Sequence, residues 1–108
     1  MISINTLEDM FEGDKGIIKE LFSLYLSENE FITQKIRLEY DNNNLTGLYN
    51  ITHSLSGALG NLFEVDVIEQ IKEIEILSRS HSKPNIEIID STIHGLNDIS
   101  KQMNQYLT

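Results

Sequence analysis

An all-α fold, specifically an antiparallel four-helix bundle with a short additional N-terminal helix, is predicted by three features of the sequence. Apolar side chains recur at three- and four-residue spacing through most of the 108 residues, the period of a helix with one buried face. Polar clusters rich in cap-forming residues interrupt that pattern at short intervals. Strand-like alternation of apolar and polar residues is missing throughout. Short connections between long helices favour antiparallel neighbours, and a chain of this length supports one core, so residues 1–108 are expected to form a single domain.

The elements follow in order. Thr6 to Phe11 reads as a short opening helix, with Thr6 as its N-cap, Glu8 and Asp9 in its first turn and Gly13 as its stop. Asp14 then caps a second helix. From Lys15 to about Tyr40 the residues Ile17, Ile18, Leu21, Phe22, Leu24, Tyr25, Phe31, Ile32, Ile36 and Leu38 predict one long helix of roughly seven turns. Asp41-Asn42-Asn43-Asn44 ends it, and Asn44 caps a third, whose apolar side runs Leu48, Ile51, Leu55, Ala58 and Leu62. After a break near Asn61 to Val65, Asp66 is the expected cap of a fourth helix carrying Val67, Ile68, Ile71, Ile74 and Leu77. Ser78 to Ser82 closes that helix. Pro84 fits the first turn of a last one, which Ile86, Ile88, Ile89, Ile93, Leu96, Ile99, Met103 and Leu107 carry to the end.

Composition narrows the function. Eight basic against seventeen acidic residues give a formal net charge of −9, a field that repels nucleic-acid phosphates and anionic lipid. The absence of cysteine removes disulfides and thiolate metal sites. No apolar run approaches the roughly 20 residues of a bilayer span, and the N-terminus lacks the basic and apolar regions of a signal peptide. A cytoplasmic chain without membrane insertion is expected. Metal sites fit poorly: Asp41 to Tyr49 opens like a calcium loop, but Leu45 stands where an oxygen ligand belongs and Thr46 where the turn needs Gly. Paired Glu-x-x-His motifs are also absent. With no apolar face evident beyond the bundle's own core, a monomer is expected.

Sorting the third helix by face, at about 100° per residue, places Tyr49, Ser56, Gly57 and Gly60 within about 60° of His53, with the apolar residues opposite. His53 is therefore predicted to face solvent. Two mid-helix glycines on its side each cost about 1 kcal/mol relative to Ala, and their bare backbone lets another protein approach the ring. If the third and fourth helices form a hairpin turning near Glu64, His53 meets Glu75. Glu75 lies about 40° from Ile71, at the interface edge, where its carboxylate can accept from His53 Nδ1 and leave Nε2 nucleophilic. Lys72, one turn earlier, can reach toward a phosphoryl group on Nε2. A solvated glutamate and a rim aromatic at Tyr49 are the plain alternatives. His81, in a polar turn, and His94, on the last helix, have no such setting and are expected to be ordinary surface residues.

The stretch Ile51-Thr52-His53-Ser54-Leu55-Ser56-Gly57-Ala58-Leu59-Gly60-Asn61-Leu62 resembles the signature of histidine-phosphotransfer domains, approximately A-H-S-L-K-G-S-A-G-N-L-G. Gly13-Asp14 before a Leu- and Phe-rich helix and the later helix ending in Glu75 also fall where that family has them, so the resemblance spans essentially the whole chain. It implies that His53 is the phosphoacceptor, that Gly57 keeps the adjoining surface clear and that Glu75 is the partner of the imidazole. Two positions depart from the pattern: Ser56 replaces the usual Lys or Arg, and Phe63 the usual Gly.

The implied chemistry is attack by His53 Nε2 on the acyl phosphate of a receiver-domain aspartate, followed by transfer to another receiver. The partner receiver supplies Mg²⁺ and this chain needs no intrinsic cofactor. Without a phosphate-cradling Gly-rich loop or a Walker lysine the chain is expected to be a carrier, not an ATP-dependent enzyme. Response-regulator receiver domains are thus the expected partners. A docking module that binds a receiver without accepting phosphate, prompted by Ser56, and a purely structural bundle are the competing classes.

Overall fold

The structure, a computed structural model, describes all 108 residues. The chain is all-helical, with α1 (Ile4–Met10), α2 (Lys15–Glu28), α3 (Ile32–Asp41), α4 (Leu45–Asn61), α5 (Val67–Arg79) and α6 (Ile86–Leu107). The helices pack into an elongated body of 43 × 20 × 19 Å. α2 to α6 each contribute residues at helical spacing to one core: Ile18, Phe22 and Tyr25 from α2, Ile36 and Tyr40 from α3, Leu48, Leu55 and Leu59 from α4, Ile71 and Ile74 from α5, and Ile89, Leu96, Ile99 and Met103 from α6, with Leu7 added from α1. α4 and α5 form the most extensive pairing, while α2 and α3 both pack on α6.

The predicted long helix is two. Between Leu26 and Phe31 the sequence offers only Ser27, Glu28, Asn29 and Glu30, so no buried side chain ties that turn to the core. Asn29 takes advantage: its backbone N–H and its side-chain amide both donate to the Tyr25 carbonyl, at 3.0 and 2.9 Å, and α2 ends. Asn29 and Phe31 keep negative φ values of −118° and −112°, so the chain resumes as α3 without a left-handed residue. Ile17, Leu24, Phe31 and Leu38, predicted to point inward, are exposed, as is Ile86 on α6.

Helix entry points differ from the sequence expectation in three places. α1 begins earlier, with Ser3 rather than Thr6 at the cap position, because Ser3 N–H donates to the Phe63 carbonyl at 3.1 Å and pins the entering chain beside the α4–α5 loop. Pro84 lies before α6, buried, with its carbonyl accepting from Tyr40 Oη at 2.8 Å; Asn85 is the cap and accepts from Glu87 N–H. Asp66 does not cap α5 through its side chain. Glu64 does so instead, accepting from the backbone N–H of Asp66, Val67 and Ile68 at 2.9, 3.0 and 2.7 Å. Asp14 and Asn44 are caps as predicted, accepting from Ile17 and Gly47 N–H.

Four helix exits, those of α1, α3, α4 and α5, share one device. After α4, Glu64 N–H donates to the Leu59 carbonyl and Phe63 N–H to that of Gly60, the paired bonds of a Schellman motif, which needs a left-handed residue between cap and exit. Phe63 supplies it at φ 58°, and Glu12, Asn43 and His81 do the same after α1, α3 and α5. A left-handed position is where glycine is least strained. Here the half-buried Phe63 ring packs on the core, offsetting a conformational cost of roughly 1–2 kcal/mol.

Candidate functional site

α4 and α5 form an antiparallel hairpin in the register read from the sequence. His53 stands against Glu75, and Gly60, nearer the turn, stands against Ile68, whose Cδ1 would lie 3.4 Å from a Cβ added to the glycine. Leu48, Thr52, Leu55 and Leu59 hold the inner face of α4 in the core, which leaves the His53 side chain outward and 65% exposed.

His53 Nδ1 lies 3.3 Å from Glu75 Oε2. The Glu75 side chain is only 18% exposed, placed at the edge of the helix interface by Ile71 and Ile74 beneath it. Its other oxygen, Oε1, accepts from the Ser56 hydroxyl at 3.0 Å. Tyr49, one turn before His53, stacks on the imidazole with ring centroids 5.6 Å apart and planes inclined by 17°. The ring is thus bounded on one face by Tyr49 and on its Nδ1 edge by Glu75. With a carboxylate at Nδ1, the favoured neutral tautomer carries its proton there and leaves the Nε2 lone pair available for attack.

The two glycines differ. A Cβ on Gly57 would meet nothing within 4 Å, whereas one on Gly60 would touch Ile68. Only Gly57 marks open approach to the imidazole; Gly60 is exposed but leans on α5. Lys72 is exposed and takes no part in the His53–Glu75–Ser56 contacts. His81 and His94 lie at the surface, His81 as the left-handed exit residue of α5 and His94 with Nε2 3.5 Å from Asp98.

Two features escape the sequence reading. An apolar surface does remain after the helices pack: a groove of about 330 Å³ between α2 and α4, lined by Phe11, Leu21, Leu24, Tyr25, Ala58 and Leu62 and rimmed by Glu28, Asn29 and Asn61. Its only advance signal was the surplus of apolar positions on α2, more than one buried stripe requires. The other is Glu64, fully buried at its side chain and bonded to the Met1 amino group at 2.8 Å as well as to the α5 amides. Burial alone would raise its pKa, but these hydrogen bonds together outweigh it and hold the carboxyl below its ordinary value.

No family model matches the chain, and no curated protein or solved structure matches it.

Proposed function

We propose that the chain is a phosphorelay intermediate that accepts a phosphoryl group on His53 from a receiver-domain aspartate and passes it to another receiver. The carrying observation is the setting of His53: solvent-facing, bonded through Nδ1 to Glu75, and followed one turn later by a glycine with open space above it. On this proposal α2 and α3 act as one interrupted rod that joins α4, α5 and α6 in an antiparallel four-helix bundle, with α1 as the additional helix. Nε2 attacks the phosphorus of the acyl phosphate, the N–P bond forms as the P–O bond to the aspartate breaks, and the carboxylate leaves. Glu75 balances the charge that the imidazole gains while Nδ1 keeps its proton. The receiver brings Mg²⁺ and most of the transition-state electrostatics; this chain acts as a monomeric cytoplasmic carrier rather than an enzyme.

The receiver would cover the Gly57 face and reach the neighbouring α2–α4 groove, an apolar surface of the kind that marks protein contacts. A second possibility, a docking module that binds a receiver without taking phosphate, is favoured by Ser56, which puts a neutral hydroxyl where the resembling family carries a cation. Transfer of ³²P from a phosphorylated receiver with Mg²⁺ to the wild-type chain and to His53→Gln separates the two. Acid-labile, alkali-stable label on the wild type and none on the variant is expected. Binding without label on either would leave the docking module.

A further inference from the structure

Ser56 occupies the position from which a basic side chain would approach a phosphoryl group, yet its hydroxyl turns toward α5. It lies 3.0 Å from Glu75 Oε1 and 3.0 Å from the His53 carbonyl of its own helix. One hydroxyl proton serves one acceptor at a time, and an ionised carboxylate is the stronger acceptor. The bond across the hairpin is therefore the one that is filled.

This arrangement holds both oxygens of Glu75 from α4: Oε1 by Ser56 and Oε2 by the imidazole, 3.3 Å away. Glu75 has no other side-chain partner among these contacts. Without Ser56 the carboxylate would keep only the long bond to His53 and could rotate away into solvent. We infer that Ser56 is a positioning residue, whose hydroxyl fixes the Glu75 carboxylate so that it holds the proton of His53 on Nδ1 and keeps Nε2 open. The inference deepens the carrier proposal and rests on it for its catalytic consequence, but the tautomer it predicts can be observed without any transfer.

The test uses the full-length ¹⁵N-labelled chain. Imidazole ¹⁵N shifts at alkaline pH, where histidine is neutral, report which nitrogen bears the proton; spectra are compared for wild type, Ser56→Ala, Ser56→Thr, Glu75→Ala and the Ser56→Ala/Glu75→Ala double variant. Unmoved backbone amide signals of the core helices verify that each variant is folded. Ser56→Ala is expected to shift His53 from the Nδ1–H form toward a mixture, Ser56→Thr to restore it, and Ser56→Ala to add nothing once Glu75 is gone. Transfer from phosphoramidate should slow roughly three- to tenfold in Ser56→Ala, as for the net loss of one ordinary hydrogen bond. A His53 tautomer unchanged by Ser56→Ala, or an equal further shift in the Glu75→Ala background, overturns the inference. The expected tautomer shifts in a chain that never takes label would uphold the role of Ser56 and defeat the carrier proposal.

Discussion

Glu64 has a fully buried side chain and yet stays ionised, because the Met1 amino group and three amide N–H groups at the start of α5 surround it with donors. It thereby joins three separate parts of the chain: the residues before α1, the α4–α5 turn and α5. Removing the carboxylate leaves the buried Val67 N–H and the half-buried amides beside it without an acceptor, so Glu64→Ala should cost about 2–4 kcal/mol of unfolding free energy, measured by denaturant titration. Its pH signature follows from the lowered folded-state pKa. As pH falls below the ordinary value of 4.5 the unfolded chain takes up the proton first, so the contribution is complete above that pH and is lost as pH falls through the lower folded value. Wild type should lose stability over that range more steeply than Glu64→Gln. A sequence reading gave the capping role to Asp66 because aspartate directly before an apolar run is the commoner cap. Nothing in the sequence shows that the preceding turn folds Glu64 back over the same amides.

At the scale of the element, the helices place two demands on glycine that sequence cannot separate. Gly57 has nothing within 4 Å of an added Cβ, so Gly57→Ala should raise stability by about 1 kcal/mol through helix propensity alone. Gly95 on α6 is the contrast. A methyl there would overlap the Val67 side chain, which is buried at the start of α5, and Gly95→Ala should lower stability by about 1–3 kcal/mol. Urea midpoints of the two variants test both signs. Packing within the fold does not require glycine at position 57; on the proposed function, the approach of a receiver to α4 does. The helix periods themselves were legible because Leu, Ile and Phe at three- and four-residue spacing fix which face turns inward. The division of α2 from α3 was less so: the polar run Ser27 to Glu30 was visible, but apolar residues on both sides resume in phase, and the local bond from the Asn29 side chain to the Tyr25 carbonyl is one of several an Asn can make there.

For the whole molecule, the all-helical class and the α4–α5 register were both readable, and they set His53 against Glu75. That register needed only the two apolar stripes and a turn of a few residues, since a one-residue slip would move Ile71 out of the core. What the sequence left hidden is the geometry that depends on several elements at once: the stacking of Tyr49 on His53, the turn of Ser56 toward Glu75, and the groove between α2 and α4. The first two build the His53 face of α4, and the groove lies round the helix from it, toward α2. The central claim is that this face prepares Nε2 of His53 to receive phosphate, and the most direct measurement is ³¹P and ¹⁵N NMR of the labelled chain after phosphorylation by a receiver. A single N–P linkage at Nε2 of His53 is the predicted result; phosphate on Nδ1, on His81 or His94, or on no histidine at all would contradict it.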